Sequence, residues 1–149
     1  VPDVAEAACG ELSTVLWCER DLLDGLAFTL EVQRLVLASG DPRWLPRACR
    51  AVDVILRRLC AVELVRAVRV DILAAELGLP PAPGLRALAR AVDDPWSDLL
   101  RHHRDAMVGA AREIDGLAAR NHRGLARHRE ASGCPSAGGQ EAVSPDGRA

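Results

Sequence analysis

The side chains best suited to chemistry in this 149-residue chain fall in three groups. They are a His102-His103 pair between Asp98 and Asp105, five cysteines, and the arginines Arg120, Arg123, Arg127 and Arg129 interleaved with His122 and His128. Asp98 and His102 stand four apart on one helical face, as do His103 and Met107, but neither face supplies a third ligand, so a metal site falls short of its coordination number. The cysteines (Cys9, Cys18, Cys49, Cys60, Cys134) are odd in number and never spaced C-x-x-C. They read as small apolar residues on helix faces, not as a zinc site or a disulfide framework. Gly78 and Gly84 flank prolines and are not followed by Lys-Ser/Thr, which removes a phosphate loop. No serine sits in a nucleophile elbow, and the acids lie where helices expose them. The expectation is a protein that is not an enzyme, without cofactor or metal. The arginine run lacks interleaved aromatics for stacking bases, so it reads as a solvated face and not as a nucleic-acid site.

Composition points to the elements that would carry these residues. Apolar residues make up 49% of the chain but aromatics only 3%, namely Trp17, Trp44, Trp96 and Phe28. Leucine, alanine and valine dominate, which suits helix on helix better than a sheet sandwich. All nineteen basic residues are arginine, a coding bias more than a chemical choice. The net charge of −2 indicates neither nucleic acid nor membrane. Its distribution is uneven: residues 1–41 hold eight acids and two arginines, residues 42–76 seven arginines and four acids. No run of eighteen apolar residues offers a membrane span. Acids replace the basic start of a signal peptide, so the expected place is the cytoplasm, without membrane insertion.

Hydrophobic spacing predicts an all-α fold of three long helices and one short one, as an elongated, coiled-coil-like antiparallel bundle. The first helix spans 3–39, with Leu12, Leu16, Glu19, Leu23, Leu26, Leu30, Gln33 and Leu37 as its inner stripe. A second row, Ala8, Val15, Leu22, Thr29 and Val36, widens that stripe enough for two neighbours. Gly40, Asp41 and Pro42 end this helix, cap the next and start it, which forces an antiparallel return. The second helix spans 42–77 with Leu45, Cys49, Val52, Leu56, Leu59 and Glu63 inward, flanked by Ala48, Ile55 and Val62. Its end, 59–75, is apolar all round and is expected to be the most buried part.

Gly78, Pro80, Pro81, Pro83, Asp94 and Pro95 form a structural hinge between this hairpin and the last helix. Gly78 accepts positive φ, the prolines forbid helix, and Asp94 with Pro95 caps and starts a new one. A short helix at 85–92 lies inside the hinge and should cap the apolar end of the second helix, since seven or eight residues are not helical alone. The last helix, 95–129, carries the cleanest heptad: Trp96, Leu100, His103, Met107, Ala110, Ile114, Leu117, Asn121, Gly124 and His128. Asn121 either fixes the register of that seam or sits exposed on its loose end. Residues 1–130 read as one domain and 131–149 as a disordered tail.

Several segments, in order, resemble the FlgN-like flagellar export chaperones, in particular their actinobacterial branch. They are Leu12-Ser-x-Val-Leu-Trp-x-Glu-Arg-x-Leu-Leu, Ser39-Gly-Asp-Pro-Arg-Trp-Leu, Glu63-Leu-Val-Arg-Ala-Val-x-Val-Asp and Ala75-Glu-Leu-Gly-Leu-Pro-Pro-x-Pro-x-Leu-Arg-x-Leu-Ala. Pro95-Trp and a helix reaching Asn121 complete the likeness, which covers residues 12–127. It implies a cytoplasmic chaperone that holds the C-terminal helices of hook–filament junction proteins and delivers them to the flagellar type III export gate. The family binds clients through its last helix, at two asparagines three apart followed by leucines. Here Asn121 and Leu125 match, whereas Ala118 and Ala126 depart from the pattern. With the heptad continuing past the expected cover of the first two helices, the client surface is expected on Leu99, Leu100, Met107, Ile114, Leu117, Asn121 and Leu125. The alternative is a self-associating coiled-coil adaptor without a secretion client, a homodimer through the same stripe.

Overall fold

In the computed structural model, residues 3–133 are described, and they fold into four α-helices with no strand among them. These are α1 (Val4–Ser39), α2 (Leu45–Glu76), α3 (Leu85–Ala91) and α4 (Trp96–Ala131). The expected tail at 134–149 lies outside the described residues. The all-α reading and the helix limits hold to within a few residues.

α1 is the shared partner. With 36 residues it is about 54 Å long. α2 returns beside it antiparallel: Arg69 reaches Glu11, Ile55 lies against Gly25, and Cys49 meets Gln33. α4 runs parallel to α1, pairing Trp96 with Gly10, His103 with Ser13, Asn121 with Leu30 and Gly124 with Leu37. α2 and α4 each pack extensively on α1 but make no comparable contact with each other. The wide stripe on α1 therefore serves two helices, as its second row implies.

Two apolar clusters fill the seams. One gathers Cys9, Leu12 and Leu16 of α1 with Val70 and Leu73 of α2, Leu88 of α3 and Leu100 of α4. The other joins Leu26 and Leu30 with Leu59 and Leu117. Buried Glu19 of α1, paired with Arg66 of α2, lies between them.

The turns follow their residue chemistry. Gly40 ends α1 at φ 72°, and the Asp41 side chain accepts from the Arg43 N–H at 2.9 Å. Pro42–Trp44 then form a single 3₁₀ turn that leads into α2. At the other end Gly78 sits at φ 64°, where Leu79 N–H donates to the Ala74 carbonyl and Gly78 N–H to that of Ala75. This doubly bonded helix stop satisfies carbonyls that α2 would leave open. Pro80, Pro81 and Pro83 follow, and Asp71 fastens the connector by accepting from the Ala82 N–H at 2.7 Å. The expected hinge is thus a pinned turn.

Three expectations need correction. Asp94 does not cap α4: the Asp94–Pro95 peptide is cis, Pro95 precedes the first helical residue, and the Ser97 N–H is taken by the Asp93 carbonyl. α3 packs on α4 more than on the end of α2; Ser97 Oγ donates to the Ala89 carbonyl at 2.6 Å, closing that corner. Nor is the second half of α2 the most buried part. Its inner face steps from Val52 to Ile55, Leu59, Arg66, Val70 and Leu73, which leaves Leu56 and Glu63 exposed and turns Leu64, Val65, Val68 and Ile72 to water.

Candidate functional site

The seam between α1 and α4 holds most of the residues expected to act. Leu100, Leu117 and Asn121 are buried, and Leu99, Met107, Ile114 and Leu125 are half-buried. The heptad does not outrun its cover: α1 follows it to Gly124, and His128 still lies near Leu45 and Val36. The heptad residues of this set are therefore the glue between α1 and α4. A partner would reach the buried side chains among them only if α4 separated from α1.

Asn121, 2% exposed, fixes the register of this seam. Its Nδ2 donates to the Leu30 carbonyl at 2.7 Å and to Gln33 Oε1 at 2.8 Å. Gln33 Nε2 in turn donates to Cys49 Sγ at 3.3 Å, so one polar chain ties α4 through α1 to α2. Of the two readings of Asn121, the register-setting one is realised.

His103 is a polar residue inside the first cluster, flanked on α4 by Leu100 and Met107. It is fully buried, with Arg20 donating to its Nδ1 at 3.4 Å and its Nε2 meeting Ser13 Oγ at 3.3 Å. An acceptor at Nδ1 leaves the proton on Nε2, which donates to Ser13. Trp17 stands edge-on to the ring with centroids 4.8 Å apart, and the Arg20 guanidinium lies over the Trp17 ring at 4.3 Å. Burial, then the charges of Arg20 and His102, push His103 down to about 4. It is a neutral packing residue at ordinary pH, while its neighbour His102 is exposed.

Glu19 is buried on the facing side of α1, where Arg66 Nε lies 2.8 Å from its Oε2. The N–H is poorly aligned with that oxygen, so the pairing is mainly coulombic. Desolvation raises the Glu19 carboxyl above its ordinary range, and Arg66 only partly offsets it. Neither this pair nor His103 opens onto a cavity with a nucleophile. Among the described residues no three of histidine, cysteine, aspartate and glutamate converge as metal ligands. Cys9 is buried, Cys49 half-buried, and Cys18 and Cys60 exposed, all as free thiols.

Two surfaces escaped the sequence reading. The outer face of α2 presents Val54, Ala61, Leu64, Val65, Val68, Ile72 and Ala75 at intervals of three, four and seven, and all are exposed, Leu64 at 72%. The signal was available in the crowding of apolar residues on every side of 59–75. The inference that they would all be covered was the error. The second surface is a cleft of about 560 Å³ between the far ends of α1 and α4. Arg34, Arg120, Arg123 and Arg127 line it, with Leu37 and Gly124. Arg129 and His122, grouped with these arginines in the sequence as one solvated face, are not part of that lining. No helix among the described residues is long and apolar enough to cross a membrane.

Comparison with known protein families, with curated proteins and with solved structures returns no match.

Proposed function

We propose that this chain is a cytoplasmic export chaperone that holds an amphipathic helix of another protein, with hook–filament junction proteins as clients and the flagellar export gate as destination. The observation that carries the reading is the bare outer face of α2. A continuous aliphatic stripe, Leu64, Val65, Val68 and Ile72, stands in water at helix-in-groove spacing. Such contiguous apolar surface is unusual on a protein that works alone. The segment resemblance over 12–127 supplies the client class.

This reading moves the first contact with the client from the inner face of α4 to α2, because the α2 stripe is open without any rearrangement. Leu100, Leu117 and Asn121 would join only after α4 separates from α1. The test is capture of C-terminal helical fragments of hook–filament junction proteins from the same genome. Full-length chain is expected to retain them and the double variant Leu64→Glu, Val68→Glu to lose them. Equal capture by both would remove α2 from the client site, and no capture by either would remove the chaperone reading.

The same stripe supports a second reading, a self-associating adaptor in which another copy of the chain covers α2. A dimer that persists at nanomolar dilution and is broken by the same double variant favours it.

A further inference from the structure

We propose that the cleft between the far ends of α1 and α4 binds an acidic helical segment, whose carboxylates are taken by Arg34, Arg120, Arg123 and Arg127. The inference rests on the reading that this chain holds a segment of another protein, and it names the charge pattern of the part that would reach the end of the bundle away from the α2 stripe.

The cleft is built, not incidental. Asn121 bonds α4 to Leu30 and Gln33 of α1, and one turn later Gly124 brings the two helices together. A Cβ at Gly124 would stand 3.1 Å from Leu37 Cδ1, closer than packed side chains ordinarily come. Close approach at this level sets Arg34 of α1 opposite Arg120, Arg123 and Arg127 of α4, which succeed one another by three and four along one face. No acid lines the cleft. Among the described residues the three α4 arginines make no ion pair; Arg34 pairs with Glu31 on its own helix. Arg127 and His128 have a bland explanation in the negative end of α4, but that field fades within the last turn. It does not account for Arg120, eleven residues before Ala131, or for Arg34 on another helix.

The shape selects the ligand. From Arg120 to Arg127 the cations extend about 10 Å along the helix axis, longer than one phosphate group and matched to carboxylates three, four and seven residues apart on a second helix. Leu37, Ala38 and Gly124 give the floor an apolar strip, which suits an amphipathic segment. No tryptophan, tyrosine or phenylalanine is present in the lining to stack a nucleobase. Glu31 already shows the pairing geometry, accepting from both Nε and NH2 of Arg34. Arg120, Arg123 and Arg127 offer a partner's carboxylates that same fork without a competing ion pair among the described residues, while at Arg34 a partner would share or displace Glu31.

The probe is a capped, labelled, alanine-based helical peptide with glutamates at those spacings, and a twin with glutamine in their place. Fluorescence anisotropy is read with the full chain at low and at physiological salt. The glutamate peptide should bind at least about tenfold more tightly than its twin, and more weakly as salt rises. Arg120→Gln with Arg123→Gln should abolish that preference. Both residues are exposed, so the variant keeps its fold, and its thermal melt checks this. Equal binding of the two peptides, or an unchanged preference in the double variant, overturns the proposal. So does displacement of the peptide by less pyrophosphate or single-stranded oligonucleotide than unlabelled glutamate peptide, which would make the cleft a phosphate site. The Leu64→Glu, Val68→Glu chain should still prefer the glutamate peptide. Client capture by that chain is read separately, so a failed cleft and a failed chaperone reading give different results.

Discussion

The inner face of α4 and the outer face of α2 carry apolar residues at the same three-and-four spacing, yet the first is closed against α1 and the second faces water. The spacing is common to both, so it cannot be what separates them. What differs is the polar content. The α4 face contains His103 and Asn121, and α1 answers with Ser13, Gln33 and the Leu30 carbonyl at the matching levels. A slip of one turn would strand each buried group without its partner, which costs roughly 1–3 kcal/mol apiece. From Ala61 to Ala75 the outward stripe of α2 is wholly aliphatic, and nothing in it prefers one register to another. A seam with polar levels accepts one partner in one position. A stripe without them sets neither a single partner nor a single register.

The largest effects should appear where the seam is cut. Leu100 is fully buried among α1, α2 and α3 residues, so Leu100→Ala removes packing that cannot refill and should lose about 3 kcal/mol. Leu64→Ala, an equal chemical change on the open stripe, should stay within about 0.5 kcal/mol. Urea midpoints at unchanged slope give both numbers. Equal losses would mean that the α2 face is covered in solution and that the contrast between the two faces is false.

His103 offers a pH test of the same seam. In the unfolded chain it titrates near the ordinary 6.5, and in the fold at about 4. Above 6.5 neither state holds the proton and its contribution is fully present. As pH falls from 6.5 toward 4 the unfolded chain takes up a proton that the native one refuses, so stability falls, by roughly 2–3 kcal/mol in all. Carboxylates titrate in the lower part of that window, so the clean reading is the difference from His103→Gln, which keeps a donor for Ser13 without the titration. Wild type should lose stability more steeply than the variant between pH 6.5 and 5. Parallel curves would place His103 in contact with water and loosen the α1–α4 seam at that level.

Much of this architecture was legible, for identifiable reasons. α1 was legible although Trp17, Phe28, Val32 and Leu35 lie outside its inner stripe, because that stripe keeps unbroken three-and-four spacing from Leu12 to Leu37. The turn at Gly40, Asp41 and Pro42 was legible because each residue does there what its backbone chemistry dictates. α2 was misphased for the opposite reason. Ile55 and Leu56 compete for the inner face, and so do Val62 and Glu63, and periodicity alone cannot choose where a helix is apolar all round. The outcome shows across the seam: buried Glu19 meets Arg66, while Glu63, like Leu56, lies exposed and Ile55 and Val62 turn inward. The same limit hid how far α1 covers α4. A parallel α1 long enough to cover the heptad to its end is a fact of topology, set by the pinned connector. No single helix contains that information.

The smallest effect is the one that best isolates the outer stripe. Leu64→Glu with Val68→Glu should leave the stability of the lone chain within about 0.5 kcal/mol, because neither side chain is buried and glutamate is at least as good a helix former as valine. Near-neutral stability together with lost helix capture would separate binding from folding, which no substitution in the α1–α4 seam can do. If the double variant instead lowers the thermal midpoint, and the wild-type midpoint rises with protein concentration, the stripe is buried by a second copy. A guest helix would then have to displace that copy before it could bind, and capture would weaken as the chain is concentrated.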